Sequence, residues 1–354
     1  MLRPIHRVRC WKGLQAGFDL QVNLVLWLCE PATKPIGVSK SALSAVHPDE
    51  GVQTWLWNFL LPRPKHERLL KAARQLAGQS NTAKARLQVW IKEVRDANRQ
   101  FKHRHAAWPA PLKGLPKWNA FKELNEAFYE RLKSVGVPFS TSGKPSKTRR
   151  IFYKDFVEQF RKLNGLEVCV FCGGPLGNPK VDHWVSKAKY PLLSIAPHNL
   201  TPICHRCNEP PCKGTKDVFQ AGAANAFGDW FHPYFRSGFG AYSLIHDWPL
   251  TRVEGAATDS TKNLHLQNLQ SLLELPNRWT EEFQLKYDSL RRTLRKKVRE
   301  GELQVTTVAL HAKIAEWHGE LDEHRPHYAV HELLLRQAQQ PDRLSAWLLD
   351  LQEI

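Results

Sequence analysis

The chain has 354 residues, enough for about two domains that each bury a core, and its 42% hydrophobic content, with 13 Trp and 16 Phe, excludes an intrinsically disordered protein. The net charge of +17 is lopsided: residues 1–150 hold 27 Lys and Arg against 10 Asp and Glu, leaving 24 of each from the totals of 51 and 34. Such a surface calls for a polyanionic partner, nucleic acid first, because each phosphate neutralised releases condensed counterions. No membrane span or export signal is read, and the clustered cysteines suit a reducing cytoplasm.

In chain order, Leu20 to Cys29 is the most apolar run. Leu20, Val22, Leu24, Leu26 and Leu28 alternate with their neighbours, which predicts a strand with one buried face. A loop from Pro31 to His47 follows, and Trp55, Trp57 and Phe59 are assigned to core packing. From Pro64, the spacing of Leu69, Leu70, Ala73 and Leu76 predicts a helix that Gly78 stops. A second helix begins at Asn81 or Thr82 with Leu87, Trp90, Ile91, Val94 and Phe101 on one face. Its polar positions include Lys84, Lys92, Arg95, Arg99 and Lys102, nearly all of one sign and so a candidate track for phosphates.

Trp108 to Pro116 reads as a connection, and Phe121, Leu124, Phe128 and Leu132 mark a third helix that ends near Gly136. The basic stretch from Ser140 to Arg150 reads equally as a linker and as an arm along a sugar-phosphate backbone, through Lys144, Lys147, Arg149 and Arg150. Phe152, Phe156, Val157, Phe160 and Leu163 predict a short amphipathic helix, stopped by Asn164-Gly165. Trp230 to Phe235 are expected to buttress the stretch before them. From Leu264 the pattern is nearly all helix, with apolar stripes through Leu269, Phe283, Leu290, Ile314 and Trp347. The fold class is α+β, mostly α: a basic, mainly helical domain at 1–150, a small zinc-bound domain at 151–240 and a helical region at 241–354.

The chemistry gathers between Cys169 and Gly214. Cys169 with Cys172, and Cys204 with Cys207, are two Cys-x-x-Cys knuckles that together complete a closed tetrahedral zinc site. Cys10 and Cys29 read as plain thiols and Cys212 as a spare one. Between the knuckles, Lys180 to Val185 predicts one strand and Asn199 to Ile203 a second, with a helix opening from the last knuckle. The product is a hairpin followed by a helix, clamped by zinc at its open end.

The order Cys-x-x-Cys, Asp182-His183, Asn199-Leu-x-Pro-x-Cys-x-x-Cys-Asn208 and then Lys213-Gly214 resembles the HNH endonucleases of the ββα-metal fold in their zinc-stapled form. The resemblance implies a metal-dependent enzyme that cuts DNA. It implies His183 as general base, a role that a neutral imidazole suits, and Asn199 as the residue that fixes the backbone and ring of His183 across the hairpin. Asp182 and Asn208 would hold a catalytic Mg²⁺ or Mn²⁺ ion through oxygen, with His205 as the alternative second ligand. Lys187 and Lys189 are candidate phosphate contacts beside the cleft. Pro210-Pro211 departs from the family pattern and predicts that the helix carrying Asn208 is brief, kinked or restarted. The resemblance also implies bacterial defence against phage, beside an ATPase or sensor partner, and a homodimer would let two centres cut both strands. Two other readings stay open: a non-catalytic zinc-stapled nucleic-acid-binding module, and a nuclease that cuts RNA.

Overall fold

A computed structural model describes residues 4–61, 68–99, 109–112, 114–150, 152–164, 167–214, 216, 227–247 and 251–353. Twelve α-helices and three two-stranded antiparallel sheets are present among them, which makes the fold α+β and mostly α. No helix of the described residues is long and apolar enough to cross a membrane.

The first element is α1, Trp11–Leu28, and it overturns the strand expected from Leu20 to Cys29. Leu14, Phe18, Leu20, Val22, Leu24, Val25 and Leu28 are all buried, while Lys12, Gln15, Asp19 and Asn23 form a narrow exposed or half-exposed stripe at helical spacing. Within the apolar run itself only Asn23 lies on that stripe and is exposed, so the helical rhythm is too faint to read there and an accidental alternation dominates. After it come α2 (Glu50–Leu60), α3 (Arg68–Ala77), α4 (Asn81–Arg99) and α5 (Trp118–Ser134). Asp49 caps α2 by accepting a hydrogen bond from the amide of Val52, and Trp55 and Phe59 stack together, with Phe59 against Phe128 of α5.

Lys84 of α4 leaves the expected phosphate track. It is buried, and its ammonium donates to the carbonyls of Thr33 (2.7 Å) and Glu30 (3.0 Å). Its charge serves the chain turning out of α1. Lys92 remains exposed and Arg95 pairs with Asp96. Phe101, Lys102 and the side chain of Arg99 lie outside the described residues.

Within the stretch read equally as a linker and as an arm, Pro145–Arg150 form a strand. β1 (Val137–Phe139) pairs with β2 (Pro145–Arg150). Gly143 turns the chain at φ +85°, where a Cβ would also lie 2.9 Å from the carbonyl oxygen of Lys12, a position open only to glycine. Next, α6 (Phe152–Asn164) leads to the knuckles, as its periodicity predicts.

The central hairpin has the expected form. β3 (Lys180–His183) pairs with β4 (Leu200–Ile203), with Asp182 opposite Thr201 and His183 opposite Leu200. The connection holds two 3-10 turns, Pro191–Ile195 and Pro197–Asn199, and α1, α4 and α5 pack against the first of them. α7 spans only His205–Asn208, in line with the prolines that follow.

The C-terminal region begins with a hairpin that the sequence did not announce, β5 (Tyr242–Asp247) with β6 (Arg252–Ala257). Helices α8 (Asn263–Leu273), α9 (Leu275–Arg299), α10 (Thr307–Gly319), α11 (Tyr328–Ala338) and α12 (Pro341–Gln352) complete the chain. The expected stripes are inside: Leu269, Leu272, Phe283, Leu290, Leu294, Ile314, Leu344 and Trp347 are buried.

Candidate functional site

Cys169, Cys172, Cys204 and Cys207 are buried together with their sulfur atoms all within 4.8 Å of one another. The Sγ atoms of Cys169 and Cys207 are 3.9 Å apart, and those of Cys172 and Cys204 are 3.7 Å apart. Four sulfurs at about 2.3 Å from one zinc ion in a tetrahedron would be separated by about 3.8 Å, so the cluster fits zinc. Backbone amides add to the fit: Gly174 donates to Cys172 Sγ (3.4 Å) and Cys204 to Cys169 Sγ (3.5 Å). Hydrogen bonds, that from Cys169 foremost, push Cys172 and Cys204 down, whereas burial foremost raises Cys169.

A residue far along the chain completes this centre. Arg278, on α9, donates to Cys207 Sγ at 3.0 Å and approaches Cys204 and Cys212 at 3.9 Å each. Burial opposes its charge, and the thiols of Cys172, Cys207 and Cys204 outweigh that effect. Four thiolates on a divalent ion leave two negative charges, and a guanidinium with several donors offsets one of them. Neighbouring contacts fix the same seam: Trp279 Nε1 donates to the carbonyl of Cys172 (3.4 Å), and the amide of His327 to that of Gly173 (2.6 Å). Cys212 is a buried thiol that donates to the carbonyl of Leu273 (3.1 Å).

Asn199, expected to fix the backbone and ring of His183, holds Val185 and Leu193 instead. It is wholly buried and spends its amide on the backbone: Oδ1 accepts from the Val185 amide (2.6 Å), while Nδ2 donates to the carbonyls of Val185 (3.0 Å) and Leu193 (3.1 Å). These bonds close the loop between β3 and β4. The ring of His183 is held instead by the carbonyl of Ser194, 2.8 Å from Nε2. That carbonyl only accepts, so the neutral ring carries its proton on Nε2 and its lone pair on Nδ1. Burial foremost, with the charges of Lys187, Lys213 and Lys133, pushes the pKa of His183 down to about 3, against the Ser194 hydrogen bond. At neutral pH the ring is an uncharged base.

Ser194 is itself anchored from two helices. Its hydroxyl donates to the carbonyl of Asn125 (2.8 Å) on α5 and accepts from Gln21 Nε2 (3.2 Å) on α1, and Gln21 also donates to Asn125 Oδ1 (2.6 Å). The N-terminal helices thus aim a ring in the central hairpin. Tyr129 of α5 meets that ring edge-on, with centroids 4.6 Å apart, and carries the ammonium groups of Lys187 (4.5 Å) and Lys133 (5.1 Å) over its own ring. The cations near His183 are held in place by cation–π contact.

Asp182 is buried beside His183 and paired with Lys213. The ammonium lies 2.6 Å from Asp182 Oδ2 and donates to the carbonyl of His183 (2.7 Å), with the Lys213 side chain only 2% exposed. Burial raises the Asp182 pKa and Lys213 works against it. Asn208 sits half-buried at the end of α7. His205 is exposed and bound to Glu209, 2.6 Å away.

Lys189 is half-buried in the turn after β3, and Lys144 and Lys147 are exposed on and beside β2. The side chains of Arg149 and Arg150 lie outside the described residues. Trp230 meets Trp184 edge-on with centroids 6.1 Å apart, and the Tyr234 hydroxyl donates to the carbonyl of Leu200 (2.9 Å), so the aromatics after the hairpin do buttress it. Reading the sequence gave no role to Ser194, Tyr129, Lys213 or Arg278. Lys213-Gly214 was visible as part of the motif, but a charge in a row of letters reads as a solvated surface until its partner is known.

Comparison with known proteins adds a short likeness. The chain is 33% identical over 89 residues to Protein ea31 of Escherichia phage lambda, across 25% of this chain and 26% of ea31. It therefore spans about a quarter of that relative's length. No known family matches the chain and no solved structure matches it.

Proposed function

We propose that this protein hydrolyses phosphodiester bonds in DNA in the manner of an HNH endonuclease. The observation that carries the reading is the state of His183. Its Nε2 proton is committed to Ser194, its ring is neutral, and its Nδ1 lone pair is the group left to accept a proton. In this reading Nδ1 takes the proton of a water molecule as that water attacks phosphorus, the bond from phosphorus to the 3′ oxygen breaks, and that oxygen takes its proton from solvent. Lys187 and Lys133, held over Tyr129, offset the charge of the phosphate. Asn199 keeps the loop closed so that the ring stays aimed. Zinc on the four cysteines would hold the two ends of the hairpin together and supply structure only.

The resemblance assigns Mg²⁺ or Mn²⁺ to Asp182 and Asn208. Both offer oxygen, but the Asp182 carboxylate is already matched by the Lys213 ammonium and Asn208 adds no charge. In the free chain this set does not fit a divalent ion. Around the centre, the basic face of residues 1–150, with Lys144 and Lys147, would follow the sugar-phosphate backbone of a duplex. The same proposal sets the protein in defence against phage or foreign DNA beside an ATPase or sensor partner.

One observation favours a second reading, the non-catalytic binding module: Asp182 and Lys213 form a closed buried pair, and His183 is only 7% exposed. A single assay separates the readings and the substrate class. Zinc-loaded protein with Mg²⁺ or Mn²⁺ is offered duplex DNA, single-stranded DNA and tRNA. The proposal expects cleavage of the duplex; binding without cleavage of any of the three supports the module, and cleavage of tRNA alone supports an RNA substrate.

A further inference from the structure

The disagreement between Asp182 and a divalent ion has a physical cause, and it rests on the reading above that Asp182 belongs to the cutting centre. Lys213 is tied to β3 twice, once at the carboxylate of Asp182 and once at the carbonyl of His183, and its own amide donates to the carbonyl of Cys207 (3.2 Å). The loop after the second knuckle therefore delivers a buried ammonium to the one carboxylate described at the centre. A cation arriving at that carboxylate meets a fixed positive charge a few ångströms away in surroundings where screening is weak. Lys187 and Lys133 also lie beside His183, but Glu130 pairs with Lys133 at 3.2 Å and Glu126 and Glu130 act on Lys187, so Lys213 is the cation that decides the state of Asp182. The Asp182 carboxylate is thus already neutralised by Lys213, whereas a hard divalent ion wants unmatched anionic oxygens.

We infer that Lys213 is an electrostatic interlock: it keeps a divalent ion off Asp182 in the free protein and lets one bind only when a nucleic-acid phosphate brings the missing negative charge. Ion and phosphate then bind with positive coupling, each raising the affinity of the other by the same factor. A nuclease built this way carries no loaded centre while it is away from its substrate. Lys213 is a positioning residue in this account, acting through Asp182.

Ion binding, read without any cleavage, tests the inference. Zinc-loaded protein is titrated with Mn²⁺, the free ion being followed by electron paramagnetic resonance, for wild type, Lys213→Met and Lys213→Gln in the absence of nucleic acid. Both variants should bind Mn²⁺ tighter than wild type by roughly tenfold or more, and adding Asp182→Asn should abolish the gain. Equal binding overturns the inference. Weaker binding also overturns it, because it would mean that Lys213 orients Asp182 for the ion. A second measurement needs no Lys213 variant: a non-cleavable phosphorothioate duplex should raise the Mn²⁺ affinity of the wild type roughly tenfold beyond its effect on Asp182→Asn, and no such rise overturns the interlock. Failure of the nuclease reading would appear separately, as a wild type that never cuts.

Discussion

Replacing Arg278 by Met tests how the C-terminal helices are joined to the zinc centre. The guanidinium makes a charge-assisted contact of 3.0 Å with Cys207 Sγ and reaches toward Cys204. Hydrogen bonds to charged groups contribute about 1.5–3 kcal/mol, and a factor of ten in an equilibrium constant is about 1.4 kcal/mol. Arg278→Met should therefore weaken zinc affinity by roughly ten- to a hundredfold, with Met filling most of the vacated volume. Lys at 278 should recover part of the loss, since one ammonium can serve one thiolate but not the fork of contacts. The assay is a competition titration with a chromogenic chelator, run on proteins whose helical content matches that of the wild type. Zinc retention in Arg278→Met equal to that of the wild type would refute the reasoning and make the guanidinium a bystander.

Three further outcomes are expected. The pKa of His183 and of His198, the latter packed between Trp11 and Phe235, is pushed down to about 3, in both cases by burial first. Between that value and about 6.5 the unfolded chain binds protons that the folded one refuses, so stability is full above this window and falls as pH drops through it, by about 1.4 kcal/mol per pH unit for each ring. Melting temperatures from pH 7 to 5.5 should show the fall, and His198→Phe should flatten it; an unchanged slope would contradict the assignment. Asn199→Asp keeps an acceptor for the Val185 amide but loses both donated bonds, which should cost about 1–3 kcal/mol in a denaturant titration, and stability equal to that of the wild type would remove Asn199 from its role. Changing Lys144 and Lys147 together to Ala should lower the slope of log affinity for duplex DNA against log salt by about 2; an unaltered slope would take both residues off the DNA path.

What was legible in the sequence is what depends on near neighbours. The Cys-x-x-Cys pairs lie two residues apart, so each knuckle is a local fact, and Asp182, His183 and Asn199 read as a hairpin because the strands carrying them are short and close together. Helices α3, α4 and α5 each have one apolar face, and their period shows it. A wide buried face with only a narrow polar stripe hid α1, and polar strands hid β2, β5 and β6. Lys84 was misplaced, and Lys213 and Arg278 went unread, for one shared reason: each is a long cationic side chain buried against a partner that is remote or lies on another element. Ser194 could not have been found at all, since it acts on His183 through its backbone carbonyl, a group that every residue has.

The central claim is that His183 is a general base, and supercoiled-plasmid nicking tests it most directly. Zinc-loaded wild type with Mg²⁺ or Mn²⁺ should convert supercoiled plasmid to nicked and linear forms, while His183→Ala, with the same zinc content and helical content, should leave it intact. A wild type that never nicks, or a His183→Ala that nicks as fast, would contradict the account.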